Sequence, residues 1–319
     1  RQMCIRDRHD TPATKGSRTK KSRAEERLEL LETVYASLML KFCLEGAEID
    51  VPKEPLKVVL FAEKKGFLDF AESLDASLSN AAGFFDRKAN VSVFYDQGTN
   101  EIHQLLDRLN QELQADKRRA IKERSRGARE LVRFAETIRL LTEVARENAD
   151  IEVVSHEATH QLAANTGLMP NESPVPVWAA EGLATYFESP KDAAWSGIGA
   201  VNKERLRWYR GLANDREHSN IDFVVSDRVF TDAVTEGAVA HAYGQSWALT
   251  HYLMDRHFDK LTEYYRLIAK NTSDERLSPD EYQEAFDQVF GDVKKGLELD
   301  WRSYMRSLKT DLEQVLRER

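Results

Sequence analysis

Two histidines four residues apart with a glutamate between them, His156-Glu157-Ala158-Thr159-His160, are the residues of this chain best spaced for chemistry. On a helix, four residues turn through about 400° and rise only ~6 Å, so both imidazoles point the same way. They then reach one ion at ~2.0–2.1 Å each, with Glu157 beside them as a base. Glu181-Gly182 follows about twenty residues later. A third protein ligand would leave one tetrahedral position open for water, which is what a hydrolytic metal site requires. The spacing alone arises by chance often enough that its surroundings must carry the argument.

Those surroundings are consistent. Ile151 to Ser155 leads into the motif, and Ala158, Thr159, Leu162 and Ala163 continue a small or apolar face. The pattern predicts a buried helix running to about Asn165 and stopping at Gly167. Pro170, Pro174 and Pro176 impose an extended connector. A second helix is expected from Trp178, so the chain runs helix, proline-rich turn, helix, and brings a carboxylate back to the histidine pair.

HEATH followed by Trp178-x-x-Glu181-Gly182-x-Ala184-x-Tyr186 resembles the gluzincin clan of zinc metallopeptidases, most closely its aminopeptidase-like members and a bacterial group with HEATHQL and EGLATYFE motifs. Direct similarity covers about residues 151–190, with weaker likeness at 241–253. Asn165 also stands where many of those enzymes carry asparagine. The resemblance implies His156, His160 and Glu181 as ligands of one zinc ion and Glu157 as the general base acting on water at the metal. Thr185, one turn past Glu181, could then bond a ligating imidazole. The donor to the developing oxyanion is expected from the helix around 240–249, with Tyr243 the first candidate and His241 the second. Tyr243 also reads, with Trp247, Leu249, Leu253 and Met254, as the buried side of a helix. His9, His103, His218, His251 and His257 lack ligand spacing. No residue is assigned to grip a free substrate amine, Glu152 and Glu188 being neighbours in sequence only. The resemblance implies a hydrolase acting on a peptide or protein; the alternatives are a zinc-binding but catalytically weak scaffold and a protein or cell-wall interaction module.

The elements that must position these residues give an α+β class, a predominantly helical zincin-like fold with a small sheet and a helical C-terminal lobe. Residues 1–23 are expected to be a disordered lead-in, 24–190 a catalytic subdomain with a helical insertion at about 101–149, and 191–319 a helical subdomain. A helix is expected from Ala24 to Leu44, a strand at 57–62, a helix from Phe67 to Leu78, and a hairpin pairing 83–85 with 91–95. Residues 91–95 are the candidate edge strand for an extended substrate. The basic run from Lys117 to Arg129 lies between two apolar stripes; without aromatics it reads as a solvated helical hairpin in preference to a contact with an acidic partner or nucleic acid. Helices are expected at 203–212, 241–256, 260–270, 279–290 and 293–316, and Asp222 to Val225 reads as a short strand or loop.

Composition excludes more than it assigns. The 319 residues are 41% hydrophobic and 31% charged with a net charge of −8, which suits a folded chain and argues against a general nucleic-acid binder. No apolar run of eighteen residues is present, so no membrane span is expected. The chain does not begin with Met, and Arg1 to Arg8 resembles a translated sequencing adapter, so a lost native N-terminus is expected. The compartment, secretion or a periplasm included, and the oligomeric state stay open. With Cys4 set aside, Cys43 stands alone, which excludes an intramolecular disulfide and a multi-cysteine zinc site.

Overall fold

Capping chemistry sets the first helix in the computed structural model, which describes residues 4–7, 21–188, 198–232, 237–271 and 275–317. Strand β1 (Cys4–Asp7) precedes it, an ordered, paired segment inside the lead-in expected to be disordered; residues 1–3 and 8–20 of that lead-in lie outside the described residues. Ser22 accepts from the backbone N–H of Glu25, and Glu25 accepts in return from Ser22, so α1 (Arg23–Leu44) begins on a reciprocal box. Leu31, Val34, Leu38 and Phe42 on its inner side are buried.

Strand β2 (Lys57–Phe61) is followed by α2 (Lys64–Leu74) and a 3₁₀ turn at Ala76–Asn80, so the expected helix to Leu78 is broken at Asp75. Strands β3 (Gly83–Asp86) and β4 (Val91–Tyr95) form the expected antiparallel hairpin. The sheet order is β1-β2-β4-β3, with β2 parallel to both β1 and β4.

That order corrects the edge-strand expectation. β4 is paired on both sides and has no backbone groups left to offer a substrate; the edge strands are β1 and β3, and β3 is the one that lines the cleft. The sequence misled because β4 is covered on both faces, with Val93 and Tyr95 in a small aromatic core with Phe61, Phe67 and Phe84, and Phe94 in the main core.

Helix α3 (Glu101–Lys122) runs out from the body and α4 (Ala128–Asn165) returns beside it. Gln114 Nε2 donates to the Ala135 carbonyl at 3.3 Å, and Arg146 meets Asp107 at 2.6 Å, which fixes the pair as antiparallel. The second stripe of the expected helical insertion at 101–149 and the HExxH segment are one helix of 38 residues. It stops as expected, with Gly167 at φ +78°.

After the proline connector come α5 (Val177–Phe187), α6 (Lys203–Leu212), α7 (Ile221–Val225) and α8 (Arg228–Thr231). Residues 221–225 are helical, not a strand or loop: Asn220 caps them through Phe223 N–H. Helices α9 (Ala238–Arg256), α10 (Phe258–Ala269), α11 (Pro279–Phe290), α12 (Lys294–Ser307) and α13 (Asp311–Arg317) complete the chain, the last two replacing one expected helix. One apolar core runs from Leu30 in α1 to Met305 in α12 without a break at residue 190. The fold is predominantly helical α+β. Among the described residues no helix is long and apolar enough to cross a membrane.

Two close approaches hold the site helices together. A Cβ on Gly182 would stand 2.1 Å from Thr250 Oγ1 and 2.8 Å from the Ser246 carbonyl, so α5 lies against α9 with no room for a side chain. On the other side of α9, a Cβ on Gly244 would meet Trp208 Cβ and Tyr209 N at 2.8 Å, which seats α9 against α6. Glu181 and Tyr243 are the immediate neighbours of these glycines.

Candidate metal centre

The carboxyl-terminal half of α4 is clamped to the sheet on one side and faces a cleft on the other. Gln161 Nε2 donates to the carbonyls of Lys57 and Asn90, both at 3.0 Å, and Ser92 Oγ bonds the Glu157 carbonyl at 3.2 Å. Asn165 exchanges amide hydrogen bonds with Asn90 at 2.8 and 2.9 Å, so it fastens the helix to the hairpin turn. Opposite, Asp227 accepts from Val177 N–H at 2.7 Å and from Trp178 N–H at 2.8 Å. It caps α5, whose own N-cap residue is Pro176 and gives no side-chain bond.

These anchors bring the ligand candidates together over a cleft of about 1060 Å³. His156 Nε2 lies 3.0 Å from Glu181 Oε2 and 3.1 Å from His160 Nε2, and His160 Nε2 lies 3.5 Å from the same Glu181 oxygen. Ligands at ~2.0–2.1 Å around a tetrahedral ion stand ~3.3 Å apart, so the three edges fit one small ion. Their side chains are 12–18% exposed, within reach of the cleft yet largely removed from water.

The donor set itself calls for a cation. His156 Nδ1 is 2.8 Å from Glu188 Oε1, and since a carboxylate only accepts, Nδ1 carries the proton. A neutral ring with its proton there would turn the lone pair of Nε2 towards Glu181 and His160. Lone pairs meeting at one point repel unless a proton or a metal ion lies among them. Burial alone disfavours charge on His156, but the contacts with Glu181 and Glu188 outweigh it and hold its pKa well above the usual imidazole range. For Glu181, burial is likewise overcome, by the His160 charge and bonds to both imidazoles, and its carboxyl is held well below the usual range. His156, His160 and Glu181 could hold a metal ion.

Glu188 joins the site although its sequence position gave it no part there. Arg205 grips it with two bonds, at 3.0 and 2.9 Å, and Asn202 Nδ2 donates at 3.2 Å. This carboxylate orients the His156 imidazole, the task expected of Thr185. Thr185 instead donates to its own helix, to the Glu181 carbonyl at 2.6 Å and that of Gly182 at 3.0 Å. Glu188 follows Glu181 by seven residues, two turns along one helix face, a spacing that could have flagged it.

Glu157 is buried and lines the cleft, and burial pushes its carboxyl above the usual range despite the neighbouring imidazoles. Glu152, one turn before His156, also lines it, pushed up to about 7 by burial and then by the charge of Glu188. Tyr243 faces the same space with its ring 6.1 Å from that of His156 and the Arg205 guanidinium 5.2 Å from its own centre. Burial and the Glu181 charge drive its phenol far above the ordinary range, so it stays protonated at neutral pH. His241 is not among the residues lining the cleft; its Nδ1 is 3.0 Å from the Trp208 carbonyl and its ring packs edge-on to that indole. Gly83, Phe84 and Phe85 of β3 form one wall.

Residues 150–273, under half of the chain, match a protein-family model described as a protein of unknown function (DUF1570). The matched stretch contains the three ligand candidates and Glu157, Glu188, Arg205 and Tyr243. No curated protein and no solved structure matches the chain.

Proposed function

We propose that the protein is a zinc-dependent metallopeptidase that hydrolyses peptide bonds in this cleft. The observation that carries the reading is the turning of three ligand atoms, from His156, His160 and Glu181, onto one point, with the buried acid Glu157 beside them on the same helix turn. Zinc suits two imidazoles and a carboxylate, and when bound it would supply Lewis-acid polarisation and bring the pKa of water towards ~7. Glu157, raised by its dry setting, is matched to take a proton and pass it to the leaving amine. Tyr243 keeps its hydroxyl proton and so can donate to an oxyanion. Glu188, braced by Arg205, holds the His156 ring in the tautomer that leaves Nε2 free. The unpaired edge of β3 offers backbone groups for an extended peptide along the cleft.

The test is metal content and turnover of a peptide library, wild type against Glu157→Gln. The variant should keep one zinc per chain and lose at least ~100-fold in kcat. A zinc-loaded wild type that cleaves no peptide would sink the peptidase reading, and zinc retained by Glu181→Ala would reject the ligand assignment.

A further inference from the structure

The cleft continues past the histidine pair in both directions. Strand β3 runs beside α4 in the same sense: a Cβ on Gly83 would stand 2.9 Å from Val153 Cγ1, while Arg87, just past the strand, donates to the carbonyls of Pro170, Asn171 and Ser173 beyond the end of α4. Before the strand, Gln97 Nε2 donates to the Ala82 carbonyl at 3.0 Å and Gln97 N–H to Asp150 at 3.0 Å. Ala82, which lines the cleft, therefore lies near the level of Asp150. From Asp150 to Asn165 a helix rises ~22 Å, the length of about six or seven residues of extended chain.

Within that length one acid is left without a firm partner. Glu152 lines the cleft one turn before His156, with its side chain 44% exposed. Arg205 spends Nε and Nη2 on Glu188, at 3.0 and 2.9 Å, and reaches Glu152 only at 3.5 Å, an ion pair too long for a good hydrogen bond. Glu188 and Glu204 both add negative charge around Glu152, so three carboxylates share this guanidinium. We propose that Glu152 is a specificity residue, receiving the charged end of a lysine or arginine side chain that lies within about three residues of the cleaved bond. The reach follows from α4: the level midway between the imidazoles is six residues on from Glu152, ~9 Å along the helix, or about three residues of extended chain. Because the wall runs on past Glu152 to Ala82, a peptide can continue there, and the cation belongs to an internal residue. This inference rests on the peptidase reading of the same cleft.

The experiment uses peptides with blocked or free N-termini, identical but for one lysine or its neutral counterpart norleucine, moved through the positions flanking the cleaved bond. Zinc-loaded wild type gives the lysine-to-norleucine ratio of kcat/KM. Fluorescence anisotropy of the same peptides, labelled, on chelated Glu157→Gln gives the ratio of Kd. At one position on one side of the bond, both ratios should favour lysine ~10-fold, blocked N-terminus included, as one charge-assisted bond would. Glu152→Gln, with circular dichroism as the folding control, should bring both ratios within ~2-fold of unity. Equal losses on both peptides with the ratio intact would make Glu152 structural and overturn the proposal. So would a preference that needs a free N-terminus, which assigns the cation to the terminal amine. Cleavage indifferent to charge overturns this inference and leaves the peptidase reading standing, whereas Glu152-dependent binding without cleavage supports the cation subsite and sinks the peptidase.

Discussion

Helix α4 carries two buried clusters of charge within three turns, and they are resolved in opposite ways. Around Asp150 the chain neutralises itself. Arg23 donates to Asp150 at 3.0 Å and makes two bonds to Asp96, Arg27 donates to Asp150 at 2.6 Å, and the Gln97 amide supplies a further bond at 3.0 Å. Around His156 the same helix gathers Glu157, Glu181 and Glu188 with Arg205 as the nearby guanidinium, which is already committed to Glu188. A fold can afford such an imbalance where something from outside completes it. The first cluster therefore fixes the position of α4 against α1, and the second could hold a metal ion.

The comparison breaks most visibly in stability. Asp150→Ala leaves two arginines buried and is expected to cost about 3–5 kcal/mol, whereas Glu181→Ala, which removes one of three crowded carboxylates, should cost the metal-free protein less. Urea unfolding of both variants after chelation measures this, and equal losses would erase the distinction between the clusters. Next in size is metal affinity: Glu188→Gln should weaken it 10–100-fold in a chelator competition, because the His156 ring loses its charged partner. An unchanged affinity would deny Glu188 its orienting part.

The smallest effect is in pH. Folding raises the Glu152 pKa from its ordinary value near 4.5 to about 7, so the folded state favours the protonated acid. The stabilisation is fully present below pH ~4.5 and is lost as pH rises through ~7. Its side chain is 44% exposed and Arg205 stands 3.5 Å away, so water and the guanidinium keep the difference under about 1 kcal/mol. Glu152→Gln should flatten this part of the Tm–pH curve and raise Tm slightly above pH 7; a curve as steep as wild type would reassign the slope to other groups.

Local pattern made part of this legible in the sequence. Two imidazoles at helical spacing, a carboxylate returned after a proline turn, and apolar periodicity place His156, His160, Glu181 and most helices within a residue or two. Tertiary partners were not legible. Asp227 caps a helix fifty residues before it, and Arg205 acts on Glu188 from another helix, so neither leaves a local mark. Thr185 and His241 had suitable chemistry and sequence positions, but nearer backbone carbonyls took their hydrogen bonds. The continuity of α4 was hidden because a polar, exposed half and a buried half give no single periodicity over 38 residues.

Gly182 and Gly244 draw a boundary around what this sequence tolerates. Neither has a side chain to offer the site, yet each occupies a crevice sized for a lone hydrogen, one residue away from Glu181 and Tyr243. Substituting either one pries neighbouring rods apart and swings a functional group off target. Intolerance to change at these positions therefore reports architecture, and a survey that equates intolerance with chemistry would misread two spacers.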